Sequence, residues 1–320
     1  MIMTRTYKLI FSVALMFLST SIAFGQTYPI KPIRIVTTTA GTGSDFVARF
    51  FAQGISDSLG QPVIVDNRPS GPIPGEIVSR APSDGYTLLV YSGTLWIGSL
   101  FQKMPYNPMS DFAAITIADR SPSVIVVNPS VPVKSVKELI ALAKDKPGVL
   151  NYGGTAMGSS PHLAAELFKS MAGVNIVYVP YNGLGPIITD VLTNQVQIAF
   201  PNPFAVMPHA NAGRLRVLAV TTPAPYAPLP GLPTVAASGL PGYEFLSVTS
   251  VLAPAKTPAT IINRLNQEIV RILNRDDVRA KFLSGGSEVV GSSPEQATAF
   301  IKSDMAKFGK VIKDAGIKTY

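Results

Sequence analysis

The sequence contains no cysteine and only two histidines, His162 and His209. Without thiols the chain can form no disulfide and hold no thiolate nucleophile or thiolate-bound metal. Two histidines leave little material for a zinc site, so neither metal nor cofactor is expected. Charged residues are sparse, at 14%. No run of Lys or Arg interleaved with aromatics appears, which argues against a nucleic-acid partner. The long apolar run, residues 9–24, is too short and too poorly flanked for a membrane span. No tandem repeat is present, which excludes solenoids and arrays.

That apolar run instead has the build of a secretory leader. Arg5 and Lys8 precede it, the small residues Ala23 and Gly25 follow it, and cleavage is expected before Gln26. The mature protein is then soluble and extracytoplasmic. Loss of the leader takes the formal charge from +8 to +6, a mild basic excess suited to attracting anionic solutes. A chain of 320 residues exceeds a usual single core, so two lobes are expected.

The most suggestive stretch is NYGGTAMGSSPHL, residues 151–163. Gly153, Gly154 and Gly158 allow close backbone approach to a ligand, and Thr155, Ser159 and Ser160 add hydroxyls. A helical pattern follows at once. Its unpaired first-turn amides and dipole would hold a carboxylate or phosphate without a cationic side chain. The same residues would also serve as a capped strand-to-helix turn.

The pattern recurs along the chain. Residues 33–37 read as a strand. TTAGTGSD then supplies hydroxyls and glycines from Thr38 through Gly41, Thr42, Gly43 and Ser44, before a helix whose buried face carries Phe46, Val47, Phe50, Phe51 and Ile55. Two readings of Asp45 stand side by side: it caps the helix, or it orders water beside a ligand. A strand over 61–66 leads into a Pro/Gly-rich loop, and a strand over 86–91 into Ser92, Gly93 and Thr94. If the three strands are parallel, right-handed crossovers bring all three loops to one carboxyl edge. Trp96 reads as core, with pocket lining as the other possibility.

Strands are expected over 115–118 and 124–127, then a helix opened by the Ser135/Glu138 capping box. In the second series a helix covers 162–171 and strands cover 174–179 and 196–200. Tyr181 and Asn202 lie at strand ends, where their polar groups could orient a ligand. Residues 215–221 form another strand, and the proline-studded loop 222–241 braces its lobe or faces a partner. A strand over 247–253 returns the chain to the first lobe, followed by helices starting at Thr257, Asp276 and Ser293. The simplest architecture is α/β, with two lobes joined by crossing strands. The leader is 1–25, the first lobe 26–124 and 248–320, and the second lobe 125–247.

The order and spacing of YPIKPIRIV, LGQPVIVDNRP, DGYTLL, NPSVPVKSVKELI, LNYGGTAMGSSPHLAAELF, VPYNG, GRLRVLAV, LPGYE and VLAP resemble those of Bug-type receptors. These are the extracytoplasmic solute-binding proteins of tripartite tricarboxylate transporters. The resemblance implies a two-lobe, Venus-flytrap fold of the periplasmic-binding-protein type; the chain is expected to act as a monomer and not as an enzyme. It implies capture of a small di-, tricarboxylic or aromatic acid for delivery to transporter subunits in the membrane. The family's binding loops carry over to Gly41, Thr42, Gly43, Ser44 and Asp45, to Ser92 and Thr94, to Thr155, Ala156, Gly158, Ser159 and Ser160, and to Tyr181 and Asn202. Two loops depart from the family pattern: TTTAGTGSD is one residue shorter than usual, and SGPIPGE replaces a glycine-rich stretch after NRP. The identity of the acid therefore does not transfer. No candidate loop contains an Arg, so amides, hydroxyls and bridging waters are expected to hold the ligand.

Two other readings compete. One is an adaptor that presents its closed form to a membrane sensor kinase. The other is a secreted hydrolase using Ser159 or Ser160 with His162. Their spacing at a helix start makes the side chains diverge, and no GxSxG nucleophile elbow is present.

Overall fold

The computed structural model describes residues 28–155 and 157–314. The expected leader, its cleavage point and Ala156 lie outside the described residues. Two mixed sheets, each flanked by helices, make up the molecule. Among the described residues no helix is long and apolar enough to cross a membrane.

The first sheet grows from three strand–loop–helix units. β1 (Ile33–Thr37) leads into α1 (Gly43–Leu59), β2 (Val63–Asn67) into α2 (Ile73–Ser79), and β3 (Thr87–Ser92) into the short α3 (Thr94–Ile97). β1 pairs in parallel with both β2 and β3, so the three following loops share one carboxyl edge, as expected. α1 starts on the Thr42 side chain, which accepts from Asp45 N, and stops at Gly60, whose φ of 67° favours glycine. Val47, Phe51 and Ile55 line its buried face. Burying each is worth about 2 kcal/mol.

β4 (Phe112–Pro122) ends this part of the first sheet, and β5 (Val124–Val127) opens the second. α4 (Val136–Asp145) has the expected capping box: Ser135 Oγ accepts from Glu138 N, and Glu138 Oε2 accepts from Lys134 N. There follow β6 (Asn151–Gly154), α5 (Ser160–Ala172), β7 (Val177–Pro180), α6 (Leu184–Leu192), β8 (Ile198–Ala199), α7 (Pro203–Asn211) and β9 (Arg216–Val220). The second sheet runs β7-β6-β8-β5-β9, with β5 antiparallel to both neighbours. β7 begins later than expected from the sequence and β8 is shorter, since only those residues meet a partner strand.

β10 (Leu246–Pro254) rejoins the first sheet between β3 and β4, antiparallel to both. α8 (Ala259–Leu273), α9 (Asp276–Ser284), β11 (Glu288–Val289) and α10 (Pro294–Asp314) complete it, giving the order β11-β4-β10-β3-β1-β2. Thr257 does not cap α8, contrary to expectation. Its hydroxyl turns back to Pro254 O at 2.7 Å, and Pro258 takes the cap position without a side-chain bond. At Ser293 the expected start signal holds, with Gln296 N donating to Ser293 Oγ and Ser293 N to Gln296 Oε1.

One apolar core, including Leu89, Tyr91, Trp96, Tyr152, Phe168 and Phe308, is shared by the two sheets. A second packs α1, α8 and α9 on the far face of the first sheet, and a third lies over the second sheet at Val124, Val191 and Val206. The crossing strands are clamped at one point. Thr221 Oγ1 accepts from Ser123 N at 2.8 Å and reaches Phe245 O at 2.7 Å, while Thr221 N donates to Ser123 O. The loop after β9 braces this junction: Val235 N donates to Val220 O, and the Tyr226 hydroxyl to Gly286 O.

Candidate functional site

On the first sheet, the loop after β1 folds over the start of α1. The hydroxyls of Thr38 and Thr42 lie 2.5 Å apart. Asp45 serves the loop itself: its carboxylate accepts from Gly41 N at 2.9 Å, from Asn67 Nδ2 at 2.8 Å and from Arg49 Nε at 3.1 Å. Burial opposes ionisation of Asp45, but the Asn67 amide, the Gly41 N–H and Arg49 outweigh it and hold the carboxyl below its usual range. Thr42, and not Asp45, caps α1; the Asp45 carboxylate ties Gly41, Asn67 and Arg49 together. Thr42 Oγ1 accepts from Asp45 N, and the amides of Gly43 and Ser44 in the same turn have no intrahelical acceptor. Ser92, at the end of β3, donates to Thr94 Oγ1 at 2.9 Å, pairing two expected site residues. Trp96 is fully buried and donates to Asp304 Oδ2 of α10 at 2.7 Å, so it belongs to the core.

On the second sheet, Tyr178 donates its hydroxyl to Thr155 O, fixing the turn after β6. Gly158 has φ 77°, a conformation that favours glycine. Ser159 occupies the N-cap of α5 yet makes no capping bond. It is 8% exposed, and its Oγ is buried without a partner. His162 is caged by Phe101, Tyr152 and Tyr178. Burial pushes its pKa down to about 4. Its Nδ1 accepts from Gly158 N at 3.3 Å, which supports the turn.

The two jaws meet at this turn. A Cβ on Gly158 would stand 3.0 Å from Gly98 Cα, in the turn after α3, and Phe101 packs edge-on against His162. Ser160 Oγ lies 2.8 Å from Ser247 Oγ on β10. Tyr181 and Asn202 are more committed than their sequence context suggests. The Tyr181 hydroxyl donates to Asp190 at 2.6 Å, and its pKa is pushed up to about 12 by desolvation and that carboxylate. It can therefore offer a ligand only an acceptor. Asn202 Oδ1 caps α7 by accepting from Ala205 N at 3.1 Å, which leaves its Nδ2 as the available donor.

Sequence reasoning overlooked Asn67, Gly98 and Ser247. Asn67 stood inside a quoted motif, and its place at the end of a strand was the available signal. Gly98 and Ser247 act through the other sheet, and no local pattern marks them. Among the described residues no group of three His, Asp or Glu side chains could hold a metal ion.

The comparisons with known proteins agree with this architecture. Residues 47–317 match the model of the tripartite tricarboxylate transporter family receptor, TctC. Protein BugT of Bordetella pertussis is 35% identical over 299 residues, which span 92% of each chain. Among solved structures, R. palustris Rpa4515 with adipate superposes at a TM-score of 0.87 with 37% identity, covering 92% of this chain and 100% of that one. The periplasmic binding protein BugD superposes at a TM-score of 0.84 with 27% identity, covering 92% and 100%. The chain thus belongs to the family of tripartite tricarboxylate transporter receptors.

Proposed function

We propose that this receptor captures a small carboxylate between its lobes in the periplasm and delivers it, as a monomer, to the membrane subunits of a tripartite transporter. The first lobe comprises 26–124 and 248–320, and the second 125–247. The clamp joining Ser123, Thr221 and Phe245 supports crossings close to those boundaries. Export through the leader, with cleavage before Gln26, brings the protein to its compartment; the mass of the exported chain tests this.

The observation that carries the reading is the buried, unpartnered Ser159 hydroxyl at the start of α5. Leaving such a group unbonded costs about 1–3 kcal/mol, which a ligand oxygen would recover. The neighbouring contacts between the two sheets, Gly158 on Gly98 and Ser160 on Ser247, support this position for the ligand. One ligand carboxylate is held there by Ser159 and the amides of Ser160 and His162 at the start of α5, Pro161 between them having no N–H, and it faces Gly43, Ser44, Ser92 and Thr94 across the crevice. Thr38, Gly41, Thr42 and Asp45 shape the first jaw, and Thr155, Gly158, Tyr181 and Asn202 the second. The dicarboxylate in Rpa4515 makes adipate the first probe. No bond is made or broken, and capture favours the closed form.

The test is a thermal-shift panel of mono-, di-, tri- and aromatic carboxylates, followed by calorimetry on the best of them. Ser159→Ala should weaken binding about tenfold without lowering the melting temperature. A panel that stabilises nothing refutes carboxylate capture. Undiminished affinity in Ser159→Ala refutes the site.

A further inference from the structure

A second buried polar atom without a partner lies on the first sheet: Oδ1 of Asp119, a residue 6% exposed near the end of β4. Strand register shows where it points. Asp119 stands opposite Thr249 of β10, and Thr249 opposite Ser92 of β3, so the three share one face of the sheet. Ser247 lies two residues from Thr249 along β10 and projects to the same side. Ser247 is the residue that touches Ser160 at the start of α5. Asp119 is therefore the diagonal cross-strand neighbour of Ser247, about 7–8 Å away between Cα atoms.

The Thr249 and Ser287 side chains and the Thr249 backbone bond to the Asp119 carboxylate, while Oδ1 has no partner. Ser121, on the same face, bonds to Gly286 O. The adjacent Arg120 projects from the opposite face and pairs with Glu288 at 2.8 Å, so it does not neutralise Asp119. The Tyr226 hydroxyl, which also approaches from the second lobe, donates to Gly286 O. A buried carboxylate with an open oxygen and no countercharge is costly, and a donor bearing positive charge relieves both deficits together. The crevice thus has two unlike ends, the partly positive start of α5 and an anionic Asp119.

We propose that Asp119 is a specificity-determining residue that accepts the protonated amine of the ligand, so that the acid captured is a short ω-amino acid and not a simple dicarboxylate. This rests on the reading of the chain as a carboxylate receptor. A second carboxylate placed at Asp119 would face a like charge, whereas an ammonium group meets both the open Oδ1 and the charge.

The test pairs ligands of equal length that differ only at the far end: succinate with γ-aminobutyrate, glutarate with δ-aminovalerate, and adipate with ε-aminocaproate. Calorimetry and thermal shift at neutral pH are run on the mature wild type and on Asp119→Asn, whose fold is checked by circular dichroism. At least one amino acid should bind the wild type at least tenfold more tightly than its dicarboxylate partner, and Asp119→Asn should abolish that preference. Preferential binding of dicarboxylates by the wild type overturns the proposal while leaving carboxylate capture standing. So does an amino-acid preference that persists in Asp119→Asn. If the amine-only analogue of the best ligand binds as well as the amino acid, the carboxylate-receptor reading itself fails.

Discussion

Asp119→Asn should alter the pH dependence of folding stability in a way that the structure fixes in both sign and size. Burial raises the carboxyl of Asp119 from 3.8 to about 6, with Thr249 and Ser287 only partly offsetting it. A carboxyl raised in the folded state gives stability that is fully present below the unfolded value and lost as pH rises through the folded one. With each pKa unit worth about 1.4 kcal/mol, the wild type loses about 3 kcal/mol across this window. The asparagine side chain has the same shape and does not ionise. Its stability relative to wild type should therefore rise by about 2.4 kcal/mol between pH 4 and pH 7.5. His162 acts in the opposite direction. Burial lowers it from 6.5 to about 4, so the wild type loses about 3 kcal/mol as pH falls through that range. The two effects nearly cancel in the wild type, and each single variant exposes the other. His162→Asn keeps an acceptor for Gly158 N–H and should gain on the wild type as the solution is acidified. Guanidinium unfolding of the three proteins at pH 4 and 7.5, without ligand, measures these differences. A difference between Asp119→Asn and wild type that is the same at both pH values would refute the burial argument.

Two further outcomes follow from the jaws. Gly158→Ala places a Cβ 3.0 Å from Gly98 Cα at a positive φ, so it should hold the lobes apart and lower ligand affinity by at least tenfold; small-angle scattering with saturating ligand should show a wider particle than the wild type. Asn202→Ala removes the α7 cap and should cost about 1 kcal/mol as well as affinity, whereas Asn202→Asp should keep the cap and lose affinity alone, which unfolding curves and calorimetry would separate.

Local chemistry made much of this fold legible in the sequence. The strand–loop–helix units announced themselves because glycine and hydroxyl clusters can do little else between a β-branched run and an amphipathic helix. Ser135 with Glu138 marked α4 through a bond that spans only three residues. Long-range effects stayed hidden. The strand expected to stop at Ala118 continues to Pro122, because pairing with β10 holds polar residues in a sheet that their own propensity would not form. Asp119 was passed over for the same reason: its burial comes from β10, β11 and the second lobe, which lie far away in the chain. Thr257 looked like a helix cap, but the following proline forced another geometry.

The clamp at Thr221 makes the junction a torsion spring. The two connecting strands are tied together where they change sheets, so neither can stretch, slide or bend on its own. A substitution at Thr221 would loosen both crossings at once, since its hydroxyl and amide hold Ser123 and Phe245 together. Any change that retunes the spring shifts the resting population, and with it the apparent affinity, without touching an atom of the crevice.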